Sequence, residues 1–359
     1  MLFQHLSIAN FRGFESLKVN GLKRVNLFLG RNNVGKTALI ESVFLLAAPA
    51  NPELPSRVHG FRGIDHFRND AEDLWGWLFY GKDVTKTIRL ELETDTHKKR
   101  SLKMRVLMPK RTTLRSGRER REKSTRVRRT TTSTTIAPSQ LSLEYTLENG
   151  IKGEATARIA QGGVTFEHGS VPPQPQSVFV TARGSYSPEN PERFSKLQEL
   201  MEEDTLLPAM RVIEPRLKKL SVLASSMGPM IYGDIGIKRM VPIPMMGEGI
   251  GRLLTILLAV FDARDGMVMV DEIDTGFYHS ILPAVWTSIA KAARQSDTQV
   301  LATTHSWECL KAAHESFLSP DSKYDLGIHR IDRFDEKTTS TTYDAEMTET
   351  ALSSGLEMR

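Results

Sequence analysis

Two hydrophobic patterns alternate along the chain. Short runs that are apolar nearly throughout, at Val25–Leu29, at Met267–Val270 and within TQVLATTHS at 298–306, read as strands buried on both faces. Between residues 87 and 168 the pattern becomes an alternation of apolar and polar positions, in TIRLELETD, LKMRVLMP, QLSLEYTLENG, KGEATARIA and GGVTFEHG. That predicts antiparallel strands with one wet face. The stretches 38–46 and 253–261 carry apolar residues at helical spacing. Residues 1–46 therefore read as strand, turn, strand, strand, loop, helix. Helical stretches follow from 191 to about 220, then short β-like runs to 243, and the last third alternates helix and strand as an α/β layer does. In LWGWLFY at 74–80, Trp75, Trp77, Phe79 and Tyr80 read as core, and SVFVTARG at 177–184 reads as a further strand after the hinge VPPQPQ. There is no internal repeat.

The join between the third strand and the first helix carries chemistry. FLGRNNVGKTALIES contains G-x-x-x-x-G-K-T at Gly30–Thr37, between an apolar strand and a helix, which is the context a phosphate-binding loop requires. Gly30 and Gly35 let backbone N–H groups of Asn32, Asn33, Val34 and Ala38 close on phosphates, and the helix adds its positive end. Lys36 is expected to reach the β- and γ-phosphates, and the Thr37 hydroxyl to ligate Mg²⁺.

Such a loop needs an acidic partner. Asp271 and Glu272 stand at the end of the apolar run 267–270, so Asp271 is the expected metal ligand and Glu272 the residue that orients attacking water. TIRLELETD is rejected for this role because its alternation makes it a half-exposed strand. About twenty residues earlier, MMGEGIGRLLTILLAVF places Gly247, Gly249 and Gly251 before an apolar helix. About thirty residues later, TQVLATTHS ends in Thr304, His305 and Ser306, and His305 is the expected γ-phosphate sensor.

Composition refines this picture only locally. The 359 residues are 40% hydrophobic and 25% charged, with a net charge of +5, as an ordinary globular domain with an appended lobe would be. Residues 98–129 hold 15 Lys or Arg against Glu119 and Glu122, a local balance of +13 that leaves −8 for the rest. The segment 109–138 has almost no large apolar residues and is expected to be a mobile loop. Cys309 is the single cysteine, which excludes internal disulfides and reads as a small core residue. With no signal-like start and no apolar run long enough for a bilayer, a cytoplasmic protein without membrane contact is expected.

The order of phosphate loop, long insertion, glycine-rich turn, D-E strand and strand with histidine is carried by IANFRGFESLKV, LGRNNVGKTALIES, MGEGIGRLLTILLAVFD, VDEIDTGFYHSILPAVW, QVLATTHSWECLKAA and GLEMR. In these phrases the chain resembles the ABC-type "AAA" ATPases related to the OLD family and to the ATPase subunits of PARIS-type phage-defence systems, with an SMC- and RecF-like nucleotide-binding domain. The fold implied is α/β: a P-loop NTPase of the ABC/SMC type with a mixed central sheet, an antiparallel β lobe and a helical insertion. The whole chain would be one such domain, with a β-rich insertion at 84–170 containing the basic loop and a helical subdomain at 185–225. The resemblance also implies ATP and Mg²⁺ as cofactors, Asn10 and Arg12 near the base and phosphate side, and Asp274 reaching across a dimer interface. Gly247 and Gly249 would face the partner's ATP. The serine usual in that turn is replaced by Met246, so backbone donors and Arg252 would make the contact. Gln174 and Gln176 are the candidates for the glutamine that ABC proteins place beside the metal.

Two functions compete. One is an ATPase serving as sensor and scaffold in anti-phage defence, assembling as a homodimer or larger even-numbered ring and controlling a separately encoded effector such as a TOPRIM-like nuclease. With 54 residues after His305, part of them needed for a closing strand and helix, no nuclease domain is expected in this chain. The other is a RecF-like DNA-binding ATPase of repair or replication, with DNA on the basic stretch 98–129, whose plainer reading is a solvated loop.

Overall fold

The computed structural model describes residues 2–64, 70–108, 139–160, 163–226, 228–318, 324–335 and 337–355; the basic segment 109–138 lies outside them. In chain order the elements begin with β1 (Phe3–Phe11), β2 (Phe14–Asn20), β3 (Val25–Leu29) and α1 (Lys36–Ala47), then the short helices α2 (Leu54–Gly60) and α3 (Ala71–Trp75). Five alternating strands follow: β4 (Ile88–Thr94), β5 (Lys99–Leu107), β6 (Gln140–Thr146), β7 (Lys152–Ala160) and β8 (Gly163–Glu167). Then come β9 (Ser177–Val180), α4 (Asn190–Glu199), α5 (Leu207–Met210), β10 (Lys219–Ser225), β11 (Gly228–Asp234) and β12 (Val241–Pro242). The last third is α6 (Glu248–Asp262), β13 (Met267–Val270), α7 (Leu282–Gln295), β14 (Gln299–Thr303), α8 (Trp307–Phe317), β15 (Leu326–Phe334), β16 (Lys337–Tyr343) and α9 (Ala345–Ser353).

The central sheet has the order β16-β15-β3-β14-β13-β9. Its five strands from β15 to β9 run parallel, and β16 closes one edge antiparallel. Strands β3, β13 and β14 are buried at every position, because both faces of this sheet are covered. Val25, Leu27, Leu29, Val268 and Val270 pack into a core with α6, α7 and α8. Phe28, Met267 and Met269 turn to the opposite core, made with α1 and the second sheet. The whole is a P-loop α/β fold with a mixed central sheet.

The second sheet is antiparallel, in the order β2-β1-β4-β5-β6-β7-β8. The alternating strands 88–167 thus share one sheet with β1 and β2, pairing through β1–β4. A third sheet, β10-β11-β12, begins at Lys219, inside the stretch read as helical to 225. Cys309 is buried, and burial pushes its thiol up to about 12. Trp75 and Phe79 are buried as expected, but Trp77 is 54% exposed, a departure from the core assignment. Its neighbours turn inward on two short helical turns, which leaves the ring facing solvent. Among the described residues no helix is long and apolar enough to cross a membrane.

His329 on β15 is fully buried, stacked on Phe28 and bonded through Nδ1 to the Thr342 hydroxyl at 3.0 Å. Burial, aided by Lys23, lowers its pKa to about 3, so the ring is neutral in the folded protein while the unfolded chain takes up a proton near its ordinary value. The unfolded state then binds more protons between those two values, and this residue's share of stability, intact above about pH 6.5, is lost as pH falls toward 3. Urea unfolding at pH 7 and pH 5 should show a smaller loss of stability in His329→Gln than in the parent. Equal losses would contradict this source of the pH dependence.

Candidate functional site

All five parallel strands end on the same side, and the turn after β3 opens there. Gly35 (φ 106°) caps α1 without a side-chain bond, and a Cβ on it would lie 2.5 Å from the Phe14 ring. The first amides of α1 are therefore left for a ligand. The Lys36 ammonium donates to Gly30 O at 2.6 Å and to Arg31 O at 2.9 Å, the main chain of its own loop. Burial lowers the Lys36 pKa, and Asp271 and Glu272 oppose that shift.

Asp271 follows β13. Its carboxylate accepts from Thr37 Oγ1 at 3.0 and 3.1 Å and from Thr303 Oγ1 at 2.7 Å. Its own N–H donates to Val180 O at 2.9 Å. Glu272 sits at φ 46°, a left-handed conformation costly for a residue with a Cβ, and its N–H is held by Thr303 Oγ1 at 2.8 Å. Asn33, Arg12 and Asn10 share that positive φ. Arg252 on α6 is 1% exposed and donates to the carbonyls of Thr181, Asp271 and Glu272. It is an internal clasp on the ends of β9 and β13, not the surface contact expected of it.

One cleft of about 870 Å³ runs over these groups, within the range of ligand sites. It brings together Arg12, Asn32, Asn33, Gly35, Lys36, Thr37 and Ala38 with Asp271, Glu272 and the exposed His305. Gly30 does not line it but accepts from Lys36, and Val34 turns inward to the core. Asn10 stands apart, donating to Thr87 O at 3.1 Å. Gly247 and Gly249 lie at the start of α6 outside this cleft, and a Cβ on Gly249 would come 2.8 Å from Gly276 O in the same chain. Asp274 accepts from Thr304 Oγ1 at 2.6 Å within its own subunit. Gln174 accepts from Arg100 and Gln176 faces the Asp262 carboxylate, so neither is at the metal position.

Several residues in or behind the cleft had no signature in the motifs. Thr303, at the end of β14, links both acidic residues. Glu41 on α1 is fully buried and pairs with two arginines, Arg12 Nε at 2.6 Å and Arg62 Nε at 2.8 Å. Burial lowers the Arg12 pKa to about 10. A lone carboxylate inside ALIESVFLL was the available signal, since a charge in a buried helix face requires a partner. Arg62, Arg333, Trp77 and Lys82 also line the cleft.

The donor set fits a hard cation. One hydroxyl and one carboxylate at hydrogen-bond distance, beside a phosphate cradle, are what Mg²⁺ uses together with substrate phosphates and water. Thr37 and Asp271 are the residues that would hold it.

A family model described as "AAA domain" matches residues 5–203, more than half of the chain. The chain belongs to this AAA domain family. A second model, "AAA domain, putative AbiEii toxin, Type IV TA system", matches residues 147–310. Among curated proteins, the DNA replication and repair protein RecF of Streptococcus pneumoniae (strain CGSP14) is 32% identical over 93 residues, 26% of this chain and 24% of that protein. The RecF of strain ATCC 700669 matches to the same extent. The chain thus spans about a quarter of the length of these relatives. Among solved structures, the SmcHead bound to the C-winged helix domain of ScpA has a TM-score of 0.49 at 11% identity, covering 98% of this chain and all of that one. The SMC head domain from Thermotoga maritima has a TM-score of 0.42 at 10% identity, covering 96% of this chain and all of that one. By family this chain is an AAA-type ATPase domain, built on the P-loop α/β sheet described above.

Thr303→Val should leave the thermal midpoint close to the parent's while lowering ATP turnover about tenfold or more, the expected cost of a lost hydrogen bond to a charged group. Thr303→Ser should restore turnover. A Thr303→Val protein with parental turnover would remove the hydroxyl from the site's working parts.

Proposed function

We propose that this AAA domain is a Mg²⁺-dependent ATPase. The carrying observation is the Thr37–Asp271 pair beside Lys36 at the start of an uncapped helix. Lys36 leaves its loop carbonyls for the phosphates, and the α1 amides bind the same oxygens. Thr37 and Asp271 would hold Mg²⁺, which would supply charge neutralisation for the phosphates. Glu272, held by Thr303 and Arg252, orients the attacking water, and His305 contacts the γ-phosphate. Asp274, Gly247 and Gly249 belong to a surface that meets a second copy, so the chain works as a homodimer or an even-numbered ring.

In the cell we assign the domain to anti-phage defence, as an ATP-driven sensor and scaffold that controls a separately encoded effector such as a TOPRIM-like nuclease. The family description naming a putative toxin of a toxin–antitoxin system supports this reading. The second reading is a RecF-like DNA-binding ATPase, favoured by the 32% identity over 93 residues. On that reading, deleting residues 112–135 flattens the salt dependence of DNA binding.

Lys36→Ala should lose ATP binding, whereas Glu272→Gln should bind ATP and hydrolyse it orders of magnitude more slowly. With ATP, Glu272→Gln should sediment as a dimer or larger. Parental turnover in Glu272→Gln would overturn the catalytic assignment, and a monomer with ATP bound would overturn the shared site. For the defence role, plaque formation on cells carrying the chain with its neighbouring genes should fall, and Lys36→Ala should abolish that protection. Unchanged plaque counts with the parent protein would contradict it.

A further inference from the structure

One wall of the cleft belongs to no nucleotide motif. The short helical turns 76–78 and 80–82 bring Trp77 and Lys82 into it, while Phe79 between them is buried and bridged to Phe11. Arg12 N–H donates to Leu78 O at 2.7 Å, which fastens this wall to the β1–β2 turn and so to the arginine that lines the phosphate side. Trp75 and Trp286 are fully buried, yet Trp77 keeps more than half of its surface in water at the edge of a polar cleft. The Lys82 ammonium stands 3.4 Å from its ring centroid, a cation–π contact that orients the indole and occupies one of its two faces. An oriented, half-open aromatic plane beside a phosphate cradle is complementary to a flat heteroaromatic ring.

We infer that Trp77 is the seat of the nucleobase: the base stacks on the indole, held in place by Lys82, while the phosphates run to α1. This rests on the cleft being the nucleotide site and adds what that reading lacked, since Asn10, the residue expected near the base, bonds to Thr87 outside the cleft. Recognition by stacking needs the ring, not a particular hydrogen-bond pattern, so it separates nucleotides from bare polyphosphates.

Calorimetry on the full chain with two probes, ATP and inorganic tripolyphosphate, tests this. Trp77→Ala and Trp77→Leu should weaken ATP about tenfold or more while leaving tripolyphosphate affinity unchanged, and Trp77→Phe should stay within about threefold of the parent for both, as expected if the aromatic ring carries the contact. ATP, but not tripolyphosphate, should also quench tryptophan fluorescence in the parent, and much less so in Trp77→Phe. An unchanged ratio of ATP to tripolyphosphate affinity in Trp77→Ala overturns the inference, whether both affinities hold or both fall. If Lys36→Ala weakens neither probe, the nucleotide reading of the cleft fails, and the base seat fails with it.

Discussion

The site hangs on one carboxylate. Asp271 accepts hydroxyls from the first turn of α1 and from the end of β14 while its main chain is tied to β9 and to Arg252. Those partners come from four separate parts of the chain. They meet only if β3, β14, β13 and β9 lie parallel in that order, with their ends level. Parallel order in turn demands cover on both faces, and the fully apolar strands and the two cores on either side supply it. Sequence pattern, sheet order and site geometry are therefore one constraint seen at three levels.

The same end of the sheet stores strain and charge that the fold alone does not need. Glu272 is held left-handed by a threonine bond at its N–H and an arginine at its carbonyl. Lys36 is partly desolvated and rests on its own loop. Glu41 is shared by two guanidinium groups, leaving a net positive charge beside the Gly30–Thr37 loop. Each costs stability unless an anionic ligand makes use of it, which is the behaviour expected of a site arranged before its ligand arrives.

Local signals carried much of this. The meeting of Lys36 and Thr37 with Asp271 and Glu272 in one cleft, and the strand Met267–Val270, were legible because tight strand-to-helix turns and doubly buried strands impose residue types at fixed spacing. The half-exposed strand 88–94 was legible from its alternation, and β4 shows that burial pattern. Contacts that depend on tertiary placement were not. Thr303 looks like any hydroxyl at a strand end until β14 is set between β3 and β13. Arg252 is an ordinary basic residue of a helix start until that helix is packed, when its side chain turns inward. Trp77 sits in an aromatic run whose other members are core, and nothing in that run says which ring is turned out. Asn10 and the glutamines were placed by likeness to other ATPases, and local pairing with Thr87, Arg100 and Asp262 decides their positions instead.

On the proposed function, Asp271 with Thr37 forms the metal end of an ATP site. Calorimetric titration of ATP into Asp271→Asn, with Mg²⁺ and with EDTA, tests it most directly. In the parent, Mg²⁺ should strengthen ATP binding; in Asp271→Asn, the metal-free affinity should persist and the gain from Mg²⁺ should be largely lost. A gain from Mg²⁺ equal to the parent's would show that Asp271 does not hold the metal.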